Sequence, residues 1–405
     1  MRIKVGVIFG GESVEHEISI ISAIQAMNKI DEEKYEVIPI YITKDREWYT
    51  GDMLKDIDVY QDLNLIKTYG TNVVLYYKDG AYVLQKKKGL FKRVVKEIDI
   101  AFPVVHGTNV EDGVLQGYLQ TIGIPFVGPN VYAAVAGQDK VIMKDIWKSL
   151  DLPMTEFTWF YDVDYRENPD DIIKDCKKMK FPLIVKPATT GSSVGIGFCD
   201  DEAGLREAID EAIQYDTKII VEEVVENLKE VNIAVMGNYE NSKVSEIEEV
   251  LSGNKFLTYS DKYIGGGKTK MKGGMKVPKA KSKGMASTNR KLPADLSDNM
   301  RKEIETVALK AYKALGTSGN SRIDFLIDTK KNKVYINEIN SIPGSLAYYL
   351  WEAKGLDFTK MLDEMISIGV KDFKRRISKT HSFETNILSG YASNNGVKGT
   401  KGKLK

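Results

Sequence analysis

Apolar residues follow two alternating rhythms along the first third of the chain. Lys4–Phe9 and Val37–Ile42 are short, nearly continuous apolar runs, as buried strands require, whereas Ile18–Met27 carries its apolar residues at helical spacing. Val73–Tyr77 and Tyr82–Gln85 flank Lys78-Asp79-Gly80, which predicts a hairpin. Asp99–Val105 reads as a further strand closed by His106-Gly107, and Ile124–Val127 with Gly128-Pro129 as the end of a unit. Alternation of this kind predicts an α/β layer with a parallel sheet.

Further along, the spacing predicts a helix over Ala133–Trp147 and a buried strand over Phe181–Val185 leading into Lys186-Pro187. A glycine- and serine-rich loop runs from Thr189 to Gly197, and Ile219–Glu222 is a strand with acidic residues at its end. Strands at Val231–Met236 and Val244–Val250 follow, then a long irregular stretch. Arg301–Leu315 is an amphipathic helix with Gly316 fitting its C-terminal cap. Arg322–Ile327 and Val334–Ile339 are strands around the turn Asp328–Asn332. The pattern divides into three segments, at 1–129, 130–222 and 223–374, followed by a basic tail over 375–405 expected to be flexible.

Composition narrows the function classes. The 405 residues carry 58 basic and 57 acidic side chains, a net charge of +1, which argues against a uniformly basic nucleic-acid protein. No apolar run approaches the roughly 18 residues of a membrane span, and the run after Met1 is too short for a signal peptide. With two cysteines and three histidines, neither a disulfide framework nor a Cys/His metal centre is expected. The chain reads as cytoplasmic, without membrane or nucleic-acid partners, and any metal would be held by oxygen ligands.

Candidate chemistry lies mostly where strands end. Thr190-Gly191-Ser192-Ser193-Val194-Gly195 follows an apolar strand and Lys186; small residues would let backbone N–H groups approach phosphate oxygens. An ordinary loop fits that segment equally well. Residues two apart in a strand share a face, so Arg322 with Asp324, and Glu338 with Asn340, would converge if their strands pair. Those oxygens suit Mg²⁺ with phosphates, although a solvated sheet face would carry the same charges. Glu15, His16 and Glu17 sit at the start of a helix, where carboxylates are favoured regardless of function. His106-Gly107 and Glu111-Asp112-Gly113 form a second polar cluster at a sheet edge, where ligands of open α/β sheets bind. Lys268–Lys291 holds nine basic residues and no acidic one. A solvated loop, a loop closing over phosphates and a nucleic-acid contact are its three readings.

Seven segments, in this order, resemble D-alanine–D-alanine ligases of the ATP-grasp superfamily: Gly10–Ser19, His106–Thr108 with Glu111–Gly113, Asp139-Lys140, Lys186-Pro187 through Gly195, Asp261–Tyr263, Arg322–Asp324, and Asn337–Asn340 through Gly344. The resemblance runs from residue 3 to about 374 and implies three α/β domains with ATP between the central and C-terminal ones. By that resemblance, Lys140 and Lys186 would hold the nucleotide phosphates, Glu222 and Val225 the adenine, and Glu230 the ribose, with Ser193 and Lys262 also binding the nucleotide. Asp324, Glu338 and Asn340 would coordinate two Mg²⁺ ions, for which Mn²⁺ could substitute. Glu15 would bind the ammonium of the first D-alanine in a network with Ser192 and Tyr263, while His106 would lie near the acyl centre. Arg322 and the Gly344 N–H would form an oxyanion hole, and Ser345 with Leu346 would meet the second substrate's carboxylate.

The reaction implied is ATP-dependent joining of two D-alanines through D-alanyl phosphate, for peptidoglycan precursors, by a homodimer. D-serine or D-lactate as second substrate, and a non-catalytic nucleotide-binding module, are the alternatives. The stretch from Tyr263 to Pro293 is longer and more basic than in typical members, and Ser345-Leu346 follows Gly344 directly where many have about four more residues.

Overall fold

A computed structural model describes residues 2–89, 92–251, 290–383 and 385. Lys262, Tyr263, most of the basic stretch from 268 and the end of the tail lie outside the described residues. Among the described residues, no helix is long and apolar enough to cross a membrane.

Three sheets organise the chain. The first comprises β1 (Ile3–Gly10), β2 (Tyr35–Ile42), β3 (Trp48–Thr50), β4 (Thr71–Lys78), β5 (Ala81–Lys86), β6 (Val94–Ile98) and β7 (Ile100–Pro103), in the order β6-β5-β4-β3-β2-β1-β7. Only β2-β1-β7 is parallel; β2 through β6 pair antiparallel. The expected parallel sheet is therefore confined to one side. The reason lies in the connections: Asp79-Gly80, for instance, is a hairpin turn, and parallel neighbours need a long crossover.

The second sheet is antiparallel, with β8 (Phe157–Tyr161), β9 (Leu183–Pro187), β10 (Gly197–Cys199) and β11 (Lys218–Glu223) ordered β10-β9-β11-β8. One of its faces packs Leu183, Val185, Ile219 and Val221 against Ile173 of the helix Pro169–Cys176 and Leu205 and Ile209 of the helix Glu202–Ala212. Period-2 alternation sends Lys186, Ile220 and Glu222 to the other face. The expected helix over Ala133–Trp147 is two helices, Val131–Gln138 and Lys140–Lys148. Asp139 breaks it with an extended backbone (φ −89°, ψ 107°), and its carboxylate accepts from the N–H groups of Val141 and Ile142.

The third sheet holds β12 (Leu228–Gly237), β13 (Ser242–Val250), β14 (Arg290–Lys291), β15 (Gly319–Asp328) and β16 (Lys333–Asn340), ordered β14-β13-β12-β15-β16. Ile233, Val235, Ile323 and Phe325 bury against Ile304, Ala308 and Ala311 of the helix Asp298–Ala314. The opposite face carries the polar residues. The final helix, Phe358–Ile377, turns back onto the N-terminal sheet, and its Phe358, Met361, Leu362 and Met365 share one core with Val5, Val7, Ile40 and Phe102. A tail starting at Arg375 is thus corrected: helical hydrogen bonding and amphipathic packing carry the chain in order through Ile377.

Candidate active site

A single cleft is lined by loops of the first sheet and by the polar faces of the other two. Its floor is the β15–β16 pair. Arg322 lies opposite Asn340 and Asp324 opposite Glu338, with a bulge after Asp324 that sets Asn337 out of the ladder. Arg322 and Asp324 are 5% and 3% exposed, so this is no solvated sheet face. The guanidinium grips Asp324 with two parallel bonds, Nε–Oδ1 at 2.6 Å and a terminal nitrogen to Oδ2 at 2.7 Å. Asn340 Nδ2 donates to the same Oδ2 at 3.2 Å. Burial opposes the charge of Arg322, but Asp324 beside it wins and keeps the guanidinium protonated.

The roof comes from the second sheet. Lys186 Nζ donates to Glu222 Oε1 at 3.1 Å and to Asn337 Oδ1 at 3.4 Å, joining the two sheets. Glu222, 2% exposed, also pairs with Lys144 Nζ at 2.9 Å through Oε2 and accepts from Thr155 Oγ1 at 3.0 Å. Burial alone would raise the Glu222 carboxyl, yet Lys144 and Lys186 outweigh it and hold it at about 2. Lys140 Nζ donates to the Thr190 carbonyl at 2.9 Å, and burial pushes its ammonium down, with Lys186 adding repulsion and Glu338 attraction. A buried ammonium under that pressure favours an anionic ligand. Val225 and Glu230 line the same end of the cleft beside Ile184 and Leu326, an apolar slot with acidic neighbours.

The glycine-rich loop lines the cleft as well. Ser192 and Ser193 adopt φ of 56° and 59°, and the Ser192 hydroxyl donates to Glu15. Glu15 precedes the helix His16–Met27. Its carboxylate fits between two glycines: a Cβ at Gly191 or at Gly107 would come within 2.9 Å of Oε2. Gly107 additionally has φ +80°, which favours glycine.

His106 is 3% exposed, and burial lowers its pKa, leaving a neutral ring. Its Nδ1 sits 2.8 Å from the Ile342 carbonyl, so that nitrogen bears the proton; Nε2 then accepts from Ser22 Oγ at 2.9 Å. Gly344 lines the cleft at the end of the turn after β16.

Two expected residues fall elsewhere. Leu346 is fully buried in the N-terminal core and Ser345 is 1% exposed, and neither lines the cleft. The cause is the backbone. Ser345, Leu346 and Ala347 take φ of 52°, 51° and 46°, a left-handed turn that rotates the leucine side chain away. Lys262 and Tyr263 lie outside the described residues. Sequence reading also missed Lys144, Thr155, Asn337, Ser22 and the part played by Glu111. Lys144 had a signal: it stands four residues after Lys140 and so shares its helix face.

Family models for the D-ala D-ala ligase N-terminus and C-terminus match residues 4–129 and residues 146–291 and 278–367. The D-alanine–D-alanine ligase of Thermosipho africanus is 39% identical over 388 residues, covering 95% of this chain and 98% of that protein. That of Thermosipho melanesiensis is 37% identical over 389 residues, with 95% and 98% covered. Among solved structures, the Coxiella burnetii D-alanine–D-alanine ligase superposes with a TM-score of 0.75 at 27% identity, covering 93% of this chain and 96% of that one. The VanG D-Ala:D-Ser ligase of Enterococcus faecalis gives 0.74 at 29% identity, covering 91% and 100%. With both family halves matched in order and relatives aligned over nearly their whole length, the chain belongs to the D-alanine–D-alanine ligase family and has its ATP-grasp fold.

Proposed function

We propose that the protein joins two D-alanines at the expense of ATP, giving D-alanyl-D-alanine, ADP and phosphate for peptidoglycan precursors. The observation carrying this reading is the convergence in one cleft of Lys140 and Lys186 with Arg322, Glu338, Asn340 and the Glu15–Ser192 pair. A carboxylate is a poor acyl donor because hydroxide leaves badly. Phosphorylation by ATP converts it to D-alanyl phosphate, from which phosphate departs readily when a second amine attacks.

Each residue then has a task. Lys140 and Lys186 offset triphosphate charge, and the slot at Val225 accepts the base with Glu230 toward the ribose. Glu15 receives the ammonium of the first D-alanine. Arg322 and the Gly344 N–H stabilise the tetrahedral oxyanion, a role that donors perform best when fixed beforehand, as the Asp324 fork fixes Arg322. The oxygen set Asp324, Glu338 and Asn340, brought together across β15–β16, fits hard divalent ions, and these three residues would hold Mg²⁺. Asp324 can serve both partners, since an ionised carboxylate offers about four lone-pair sites. Such ions, when bound, neutralise charge developing on the transferred phosphoryl group.

The test is phosphate release from ATP that depends on D-alanine, with products identified by mass spectrometry when D-alanine, D-serine and D-lactate compete. ATP turnover indifferent to D-alanine would defeat the reading. Predominant D-alanyl-D-serine or ester would move the protein to the related acceptor class, of which the VanG D-Ala:D-Ser ligase is an example. Lys186→Ala should fold, because Lys144 still neutralises Glu222. Its KM for ATP should rise about ten- to a hundredfold, since a charge-assisted hydrogen bond contributes roughly 1.5–3 kcal/mol. An unchanged KM for ATP would remove Lys186 from the phosphate site.

A further inference from the structure

The turn Ser341–Ser345 leaves β16 at Asn340 and delivers Gly344 to the cleft, yet it is suspended from the other lobe. Glu111 Oε1 accepts from Ser341 Oγ at 3.0 Å and from the Ile342 N–H at 2.9 Å. Its second oxygen accepts from the Gly107 N–H at 3.0 Å, on the loop that carries His106. His106 donates to the Ile342 carbonyl at 2.8 Å, and the Ser345 N–H donates to Ser22 Oγ at 2.8 Å. Every one of these partners belongs to the N-terminal sheet's loops or to the helix His16–Met27.

External support is needed at this point. Three successive non-glycine residues, Ser345 to Ala347, sit in the left-handed region. Side chains with a Cβ are strained in that region, so a free segment would relax to other conformations. Glu111 is the central tether, because one carboxylate binds both the turn and the His106 loop. It is 8% exposed, and all three donors it receives come from these two segments or their side chains.

We propose that Glu111 is a positioning residue for acyl transfer: it fixes the Ser341–Gly344 turn, and so aims the Gly344 N–H at the reacting carbonyl. The inference rests on the ligase reading above. Glutamine is the informative replacement for Glu111. It keeps size and one acceptor oxygen, but its NH₂ meets an N–H donor at one end of the bridge.

Glu111→Gln should lower kcat about 10²-fold, the usual result of displacing a reacting geometry by about 1 Å. ATP binding, measured calorimetrically, and the unfolding midpoint should stay near those of the wild type. Ser341→Ala, which removes one of the three bonds, should lose less, and the double variant should be no worse than Glu111→Gln alone. An active wild type with unimpaired Glu111→Gln overturns the inference alone. So does a parallel loss of kcat and ATP binding, or additive losses in the double variant, because either marks a general structural role. Should Glu111→Gln fail to fold, an unimpaired Ser341→Ala overturns it instead. A wild type without D-alanine-dependent turnover overturns the ligase reading and this inference together.

Discussion

Asp324→Ala or Glu338→Ala is expected to cut ligation by about 10³-fold, with the fold retained but Asp324→Ala the less stable of the two because it leaves the buried Arg322 unpaired. The two carboxylates face each other across β15 and β16 with Asn340 alongside. Removing either takes a hard oxygen from the proposed Mg²⁺–phosphate site. Metal stabilisation of phosphoryl charge is worth several kcal/mol, and each roughly 1.4 kcal/mol is tenfold in rate. Asp324→Ala carries an added effect, since Arg322 loses both bonds that orient its fork. Raising Mg²⁺ should therefore rescue part of the Glu338→Ala loss and less of the Asp324→Ala loss. Near-normal turnover in a folded variant would defeat the metal assignment for that residue.

The second large effect is on stability. Lys144 and Glu222 are 1% and 2% exposed and pair at 2.9 Å. Breaking a buried pair by removing one partner typically costs about 3–5 kcal/mol. Lys144→Met keeps the stem that packs beneath β11 and should destabilise by about 3 kcal/mol, the lower end of that range, because Lys186 still faces Glu222. The pH dependence has a definite sign. Glu222 is held at about 2, below its ordinary 4.5, so the stability it lends is complete above pH 4.5 and is lost as pH falls toward 2. Urea midpoints of wild type and Lys144→Met should differ most above pH 4.5 and converge in acid. A gap under about 1 kcal/mol at neutral pH would show that the pair does not matter. Lys144→Met should also weaken ATP binding, as an under-neutralised Glu222 draws Lys186 away from the cleft.

The strand pair at the floor of the cleft was legible in the sequence because period 2 is rigid: Arg322, Asp324, Glu338 and Asn340 could only share a face once the strands paired. Burial of that face was not legible, since nothing in the spacing distinguishes a covered polar row from a wet one. The break at Asp139 was hidden because the apolar rhythm continues on both sides, while the side chain that ends one helix caps the next. The burial of the Leu346 side chain was not legible, because it depends on three left-handed residues and no propensity predicts that conformation for serine, leucine and alanine. Glu111 looked like one acid in a polar cluster; its importance comes from Ser341 and Ile342, some 230 residues away. Contacts at that separation leave no local trace.

The return of the last helix to the first sheet also bears on synthesis. Phe358, Met361, Leu362 and Met365 complete the core begun by Val5, Val7, Ile40 and Phe102. A ribosome adding about 5–20 residues per second must make roughly 250 more residues after β7 before that helix exists, a delay of some 12–50 s. Throughout that interval the N-terminal sheet exposes the apolar surface that the helix will cover. The second sheet meanwhile has its own core, made wholly of neighbouring segments, and can close as soon as it emerges. The order in which the lobes mature is therefore not the order in which they are made: the middle of the chain finishes first, and the beginning waits for the end.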